Sequence, residues 1–273
     1  MKDTRLASTA NRDAYNNLEM GRYVSIAPHL RHDSIRNLYA GLVETAYQTA
    51  SSQIIGPASV LDLGAGEGTV TRPFLQLGAS VLAVDISEKQ LEQLQVKCAG
   101  LPGQLELRCA DLYVVMGEDR RFDIIVANSL LHHIPDYVDL VQRASALLSE
   151  NGVFFCFQDP MWKPSIARRD ALLSWTAYTA WRLGQGDLLG GIWRRIRRMF
   201  GFYSAESLHD NTEYHAVRDG VNQNAIRAAL AAEGFECELF EYCSFHSDAW
   251  QPLGERLGVK NTFGLLATRK HPT

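Results

Sequence analysis

A glycine-rich turn that directly follows a short apolar run is the feature that most constrains how this chain folds. Residues 59–63 read Ser-Val-Leu-Asp-Leu, which is typical of a buried parallel strand, and residues 64–68 read Gly-Ala-Gly-Glu-Gly. Glycines at such a turn let the chain bend sharply and let a ligand contact the backbone. Gly68 comes one residue earlier than the third glycine of the dinucleotide fingerprint, where this chain has Thr69. The spacing therefore argues against NAD and favours another nucleoside ligand.

Strands and helices alternate along the chain on both sides of this turn. Apolar runs predict further strands over 80–85, 104–109, 122–127, 153–157, 235–242 and 261–268. Helical spacing of apolar residues predicts helices over 35–50, from about 70 to 77, from 87 to 98, over 136–149 and over 222–233. Strands that alternate with helices of this length predict an α/β fold with a parallel sheet and helices on both faces.

The 273 residues contain no internal repeat and no long linker, so we expect one domain over 1–273. Within it we expect an N-terminal helical lid over 1–56, a cofactor-binding core over 57–159, a mostly helical, substrate-side insert over 160–221 and the rest of the core over 222–273. The insert is where the alternation of strands and helices breaks.

The insert is too long and too aromatic for a simple connection. It carries Trp162, Trp175, Trp181 and Trp193, which either line an acceptor pocket or form a small core of the insert itself. Residues 193–199 read Trp-Arg-Arg-Ile-Arg-Arg-Met, a basic amphipathic piece. We interpret it as a solvated helical face, and an anionic substrate or a membrane surface are the alternatives.

Composition excludes several classes of protein. The net charge of −4 offers no electrostatic footprint for nucleic acid. Five cysteines without a Cys-x-x-Cys pair make neither a disulfide scaffold nor a zinc site, so we expect no metal and a reducing, cytoplasmic environment. The first residues lack the apolar core of a signal peptide, and no stretch has the length and apolarity that predict a membrane span.

Two carboxylates follow the second and third predicted strands. Asp85 ends the second strand, where an acid can accept hydrogen bonds from both hydroxyls of a ribose. Asp111 follows the third strand, where a carboxylate can accept from an exocyclic amine while Leu112 packs on a base. The alternatives are a helix cap for Asp85 and an ordinary turn residue for Asp111. Together with the glycine turn, the two acids favour a nucleoside site.

Five stretches of the chain together resemble one enzyme family. Residues 60–68, 84–87, 109–112, 122–128 and 131–136 are similar to the motifs of class I S-adenosylmethionine-dependent methyltransferases. The similarity is greatest with the branch of ubiquinone- and menaquinone-type methyltransferases and small-molecule tailoring enzymes. It covers about residues 35–160 well and the last 50 residues by topology only. It implies a Rossmann-like, doubly wound, seven-stranded sheet with an antiparallel last strand, and S-adenosylmethionine as cofactor with S-adenosylhomocysteine as product.

The resemblance also implies which residues bind the cofactor. The set consists of Tyr23, Asp62, Gly64, Gly66, Gly68, Asp85, Ile86, Asp111, Leu112 and Asn128. The glycines would pass under the methionine part, with Asp62 near its amino group. Asp85 would hold the ribose, Asp111 would face the adenine amine between apolar neighbours, and Asn128 would lie near the sulfonium. In this family N-terminal helices often close over the cofactor, which makes Tyr23 and residues 27–32 candidates for a lid.

A pair of histidines after the fourth predicted strand supplies candidates for a catalytic base. An amine acceptor needs only a neutral lone pair, whereas a hydroxyl acceptor needs a base, and imidazole titrates in the right range. Either His132 or His133 could serve, with Asp159 at the end of the fifth strand orienting the ring. The alternatives are a turn-stabilising role for His133 and a strand-end cap for Asp159. His215 is a further candidate, although an ordinary loop position suits it better.

These observations predict a methyltransferase that acts on a small-molecule acceptor, at oxygen or nitrogen, in the manner of natural-product tailoring enzymes. The alternative keeps the fold and the cofactor but catalyses a non-methylating reaction such as cyclisation. A nucleic-acid methyltransferase is disfavoured, because residues 128–131 read Asn-Ser-Leu-Leu rather than Asn/Asp-Pro-Pro-aromatic. The acceptor and the oligomeric state do not follow from the sequence.

Overall fold

A seven-stranded sheet organises the computed structural model, which describes residues 2–17, 27–52, 54–184 and 214–269. The strands are β1 Ser59–Leu63, β2 Ser80–Asp85, β3 Gln104–Cys109, β4 Phe122–Asn128, β5 Leu148–Pro160, β6 Phe235–Tyr242 and β7 Thr262–Arg269. Their order is β3-β2-β1-β4-β5-β7-β6, and only β7 runs antiparallel to its neighbours. The α/β class, the seven strands and the antiparallel last strand predicted from the sequence are confirmed.

Helices connect the strands and cover the sheet. They are α1 Lys2–Asn17, α2 Pro28–Arg31, α3 Asp33–Ser51, α4 Thr71–Gln76, α5 Glu88–Cys98, α6 Leu112–Val115, α7 Tyr137–Ser145, α8 Arg168–Gly184, α9 Tyr214–Val217, α10 Gln223–Ala232 and α11 Gln251–Arg256. Local signals set several of these ends. The Ser87 hydroxyl accepts from the Gln90 backbone N–H at the start of α5, and Gly78 takes a positive φ of 85° after α4.

One predicted boundary between a helix and a strand is wrong. The helix expected to reach 149 ends at Ser145, and the strand expected to start at Val153 starts at Leu148. Leu147 and Leu148 are both buried at this junction. An adjacent apolar pair fits the end of a helix and the start of a strand equally well, so the pattern alone does not separate them.

Two apolar layers fill the space between the sheet and its helices. One face packs Phe155 and Phe157 of β5 against Tyr39 of α3. The other face packs Phe154 against the layer that includes Leu140 of α7. Continuous apolar strands of this kind are typical of parallel sheets covered on both sides. The carboxyl ends of the parallel strands remain at one edge, where open α/β sheets bind ligands.

A bulge interrupts β5 close to this edge. The register between β5 and β7 shifts between Phe157 and Asp159, and Gln158 takes a positive φ of 66°. The Gln158 side chain donates to the Ser244 hydroxyl and accepts from the Tyr242 hydroxyl. These bonds hold the bulged residue in a conformation that a non-glycine residue adopts only at a cost.

The described part of the insert is mostly helical, as expected; Trp162 lies two residues after the end of β5, whereas Trp175 and Trp181 lie on α8. Helix α8 packs beside the loop that follows β6, where the Trp181 ring stacks on His246 with centroids 4.8 Å apart. Trp193 and the basic piece 193–199 lie outside the described residues, as does Tyr23. None of the described helices is long and apolar enough to cross a membrane.

Candidate functional site

A cavity opens at the carboxyl ends of β1, β2 and β4. It encloses about 1030 Å³, including space that is open to solvent, which is at the upper end for small-molecule sites. Its lining includes eight of the predicted site residues: Gly64, Gly66, Asp85, Ile86, Asp111, Leu112, Asn128 and His133. The structure thus brings most of the predicted set to one place, while the role of each residue stays a prediction.

The glycine turn forms the floor of the cavity. The backbone N–H groups of Gly64 and Ala65 donate to the Val84 carbonyl at 2.9 and 3.0 Å, which ties the turn to β2. Gly66 has a φ of 52°, and a Cβ added there would meet no atom within 4 Å, so this glycine faces open space. Its bare backbone leaves room for a ligand to approach closely.

Gly68 has a different position from the one predicted. It does not line the cavity, and a Cβ placed on it would lie 3.0 Å from Leu94 of α5. The third glycine therefore allows the turn to pack closely against a helix, and its predicted place under the cofactor stays a prediction.

Asp85 holds the neighbouring loops with both carboxylate oxygens. One oxygen accepts from the Gly66 N–H and the other from the Ser87 N–H, each at 2.8 Å. Burial raises the pKa of Asp85, and the hydrogen bonds from the backbone act in the opposite direction. Each carboxylate oxygen keeps capacity for a further donor, so the residue can still accept from a hydroxyl of a ligand.

Asp111 and Asn128 present polar oxygens at the same cavity. Asp111 accepts from the Tyr113 N–H at 3.1 Å and from the Ser8 hydroxyl at 2.9 Å. Asn128 Oδ1 is buried without a hydrogen-bond partner among the described residues. An amide oxygen in that state is an acceptor that a bound ligand can satisfy.

Asp62 lies behind the cavity wall rather than in it, which departs from the prediction. It is 1% exposed, and the Thr71 hydroxyl donates to its Oδ2 at 2.5 Å. Burial raises the pKa of this carboxyl to about 7. The side chain is sequestered because it points from β1 towards the start of α4, so a direct contact with a ligand amino group stays a prediction.

Helix α1 covers one side of the cavity and lies within the N-terminal segment 1–56 expected to form a helical lid, although Tyr23 and residues 27–32 were the specific candidates. Ser8, Asn11 and Tyr15 line the cavity from one side of the helix. Besides the Ser8–Asp111 bond, the Ser87 hydroxyl donates to Asn16 Oδ1 at 2.7 Å. Ser8, Asn11, Tyr15 and Asn16 follow one another at intervals of three, four and one residues, which places them on one side of a helix. This spacing could have indicated a polar helical face.

Residues 27–32 do not line the cavity, contrary to the expectation of a lid there. Arg31 instead pairs with Asp248 and donates to the His246 carbonyl at 2.9 Å. A ring nitrogen of His32 lies 2.7 Å from the Phe245 carbonyl. These bonds anchor the segment on the loop after β6, because that loop offers carbonyl and carboxylate acceptors.

The two adjacent histidines occupy different environments. His133 lines the cavity, and its Nε2 lies 3.1 Å from the Tyr15 hydroxyl of α1. His132 lies outside the lining; its Nδ1 and its backbone N–H bond Asp159 Oδ1 at 2.8 and 3.0 Å. The two imidazole centroids are 3.9 Å apart. The predicted Asp159 contact is therefore present, but it orients the histidine that does not face the cavity.

Of two further histidines in this part of the chain, His29 is buried and His215 is half-buried. His29 of α2 has no hydrogen-bond partner on either ring nitrogen among the described residues. Burial, and secondarily the charge of His132, lowers the pKa of His29 to about 4. His215 does not line the cavity and its Nε2 lies 3.0 Å from the Pro135 carbonyl, which suits the structural alternative stated for it.

Sequence comparison identifies the part of the chain that builds this site. Residues 60–152 match the family model described as a methyltransferase domain. Two curated ubiquinone biosynthesis O-methyltransferases are similar to the chain. The one from Coxiella burnetii is 30% identical over 35% of this chain and 41% of its own length. The one from Pelagibacter ubique is 25% identical over 44% of this chain and 50% of its own length. The chain thus spans about half or less of these relatives.

Solved structures share the fold well beyond the methyltransferase domain. The magnesium protoporphyrin IX methyltransferase of Synechocystis, with bound S-adenosylhomocysteine, aligns at a TM-score of 0.56 with 16% identity over 97% of this chain and 100% of its own. A cyclopropane synthase from Mycobacterium tuberculosis aligns at 0.61 with 13% identity over 96% and 98%. At such identities the likeness concerns the fold, which is the class I methyltransferase fold predicted from the sequence.

Proposed function

We propose that the chain is an S-adenosylmethionine-dependent methyltransferase that acts at oxygen or nitrogen of a small-molecule acceptor. The observation that carries this proposal is one cavity with two chemically different ends. The glycine turn, Asp85 and Asp111 supply the acceptors and the open backbone that a nucleoside requires. His133 and Tyr15 supply titratable groups at the other end.

The polar groups at the nucleoside end fit the proposed cofactor. Asp85 keeps acceptor capacity for ribose hydroxyls, and Asp111 can accept from the adenine amine. Ile86 and Leu112 offer apolar surface on either side of that carboxylate. Asn128 Oδ1 is buried and has no hydrogen-bond partner among the described residues, so it can accept a hydrogen bond from a ligand.

The residues of the chain have limited tasks in methyl transfer. When bound, the cofactor supplies an electrophilic methyl group on a sulfonium. Helix α1 covers the cavity on one side, and the protein aligns the acceptor, which is where most of the acceleration arises in such reactions. For a hydroxyl acceptor, His133 accepts the proton at a ring nitrogen, and His132 with Asp159 supports the ring from behind.

The relatives guide the choice of acceptor class. Ubiquinone biosynthesis O-methyltransferases match the domain by sequence, so hydroxyl acceptors come first. Natural-product tailoring is the wider class to which we assign the chain, since a plantazolicin methyltransferase shares the fold at a TM-score of 0.54. None of the five cysteines forms a disulfide, which suits the cytoplasm as the site of the reaction.

Calorimetry tests the proposal without knowledge of the acceptor. The protein should bind S-adenosylmethionine and S-adenosylhomocysteine and should not bind NAD. Binding of NAD without S-adenosylhomocysteine would contradict the proposal. Release of S-adenosylhomocysteine from S-adenosylmethionine in the presence of candidate phenols and amines then identifies the acceptor, and product mass separates methylation from cyclisation.

A further inference from the structure

Helix α5 carries an amide on the side that it buries. Its other buried residues include Leu91 and Leu94, which pack in the apolar layer against the sheet. Gln90 lies four residues before Leu94 and so falls on the same side of the helix. It is only 6% exposed, and it lines the cavity. An apolar residue would suit this position without cost, whereas a buried amide costs free energy unless it finds a hydrogen-bond partner.

The protein itself does not supply that partner. The backbone N–H of Gln90 donates to the Ser87 hydroxyl at 3.3 Å, but its side chain forms no hydrogen bond with the described residues. The Ser87 N–H donates in turn to the Asp85 carboxylate at 2.8 Å. These two bonds fix the first turn of α5 next to the loop of Asp85, so the Gln90 amide and the Asp85 carboxylate belong to the same end of the cavity.

The two side chains have complementary hydrogen-bonding groups. An ionised carboxylate can only accept, whereas a carboxamide donates through two N–H groups and accepts through its oxygen. Ribose hydroxyls donate and accept at the same time. Asp85 can accept from such hydroxyls but offers nothing to their lone pairs, and Gln90 supplies the donors that Asp85 lacks.

We propose that the side-chain amide of Gln90 donates a hydrogen bond to a ribose oxygen of the bound nucleoside and completes the binding site for the ribose together with Asp85. This inference rests on the proposed function, because it takes the ribose of the cofactor to lie at Asp85. It explains why a buried position of an amphipathic helix carries a polar side chain that the protein leaves without a partner.

Calorimetry of the full chain with S-adenosylhomocysteine tests the proposal. Gln90→Met keeps the length of the side chain but removes its polar groups, and it should weaken binding by about three- to tenfold, the scale of one neutral hydrogen bond. Gln90→Glu removes the donors and adds a negative charge near Asp85, so it should weaken binding by about tenfold or more. Gln95→Ala is the matched control, since Gln95 is exposed on the same helix, and it should change affinity by less than about twofold.

A second ligand identifies the part of the nucleoside that Gln90 contacts. 5′-Methylthioadenosine contains the ribose but lacks the amino-acid part of S-adenosylhomocysteine. Gln90→Met should weaken the binding of both ligands by the same factor. A loss confined to S-adenosylhomocysteine would place the contact at the amino-acid part and would overturn the assignment to the ribose.

Stability without ligand distinguishes binding from a structural role. Because the amide has no partner among the described residues, Gln90→Met should unfold at the same urea concentration as the wild type or at a higher one. A less stable ligand-free variant, or wild-type affinity in Gln90→Met, would show that Gln90 only fills space and would overturn the proposal. Absence of S-adenosylhomocysteine binding by the wild type would overturn the proposed function and this inference with it, so the two failures are distinguishable.

Discussion

The two ends of the cavity are built in different ways. At the nucleoside end, Asp85 bonds residues that are 2 and 19 positions away in the chain. At the reacting end, His132 bonds a residue 27 positions away and His133 one that is 118 positions away. The first end forms from consecutive strand ends, whereas the second needs the N-terminal helix to return to the sheet.

This difference predicts that binding of the cofactor and alignment of the acceptor depend on different parts of the chain. The Gly66–Asp85 part of the nucleoside end can form as soon as β1 and β2 pair, since its bond links their two loops, and α1 reaches this end only through Ser8 and Asn16. The reacting end depends on α1, whose Tyr15 is the partner of His133. We therefore expect substitutions at the nucleoside end to act on affinity and substitutions at the reacting end to act on rate.

Removal of the cavity histidine should give the largest effect. His133→Ala should slow methyl transfer to a hydroxyl acceptor by about 10²–10⁴, the range for loss of a general base. Affinity for S-adenosylhomocysteine should stay nearly unchanged, because His133 is at the reacting end. Single-turnover transfer of a labelled methyl group measures the rate. His215→Ala is the control outside the cavity, and equal effects of both variants would remove the distinction between the two ends.

Removal of the Asp85 carboxylate should act on affinity. Asp85→Ala should weaken binding of S-adenosylhomocysteine by about 1.5–3 kcal/mol, the scale for hydrogen bonds to a charged group. Part of this cost arises because the Gly66 and Ser87 N–H groups lose their acceptor. Calorimetry measures the affinity, with Asp139→Ala on α7 as a control. Unchanged affinity in a folded variant would mean that Asp85 only holds the loops.

Acid should destabilise the folded protein through His29, which is buried on α2. Its pKa is lowered from 6.5 to about 4 in the folded protein, so the unfolded chain binds the proton first as the pH falls. The contribution of neutral His29 to the free energy of unfolding is therefore complete above pH 6.5 and is lost as the pH falls towards 4. By pH 5 the loss should reach about 2 kcal/mol. Urea unfolding of the wild type and of His29→Leu at pH 7.5 and 5 measures it, and an equal loss in both would exclude His29 as the cause.

The smallest effect should come from the helix that covers the nucleoside end. Ser8→Ala removes the hydroxyl bonded to Asp111 and should change affinity for S-adenosylhomocysteine by about 0.5–1.5 kcal/mol at most. Hydrogen exchange along α1 should become faster. Thr9→Ala, on the exposed side of the same helix, should do neither. Identical exchange in the two variants would show that the Ser8–Asp111 bond does not hold α1 in place.

The sequence predicts the nucleoside end far better than the reacting end. Gly66, Asp85 and Asp111 follow directly from strand ends that apolar runs mark, so counting along the chain suffices to place them. Gly66 and Asp85 bond each other across these loops, whereas Asp111 also accepts from Ser8, 103 positions away. Gly68 and Asp62 stand on either side of the turn but do not line the cavity, because Gly68 packs against Leu94 and the Asp62 side chain is buried, so their contacts with a ligand stay predictions.

The reacting end could be predicted only in part. The histidine pair and Asp159 are visible in the sequence, but which histidine faces the cavity depends on tertiary packing. Tyr15 could not be identified, because its partner lies 118 residues away and no local pattern records such a distance. The sequence likewise does not show that residues 27–32 bond to the loop after β6 rather than cover the cavity.

The bulge at Gln158 determines which side of the sheet receives the Asp159 carboxylate. Side chains along a strand alternate, so without an extra residue Asp159 would share the face of Phe157, among the rings of Tyr39 and Phe155. Because of the extra residue, every later side chain of the strand points to the face opposite the one that simple alternation gives. Asp159 therefore meets His132 on the face opposite Phe157. Loss of the bulge without loss of a residue would return Asp159 to the face of Phe157 and bury a carboxylate in an aromatic layer. One additional residue in an interior strand therefore places this carboxylate beside His132 instead of in the core.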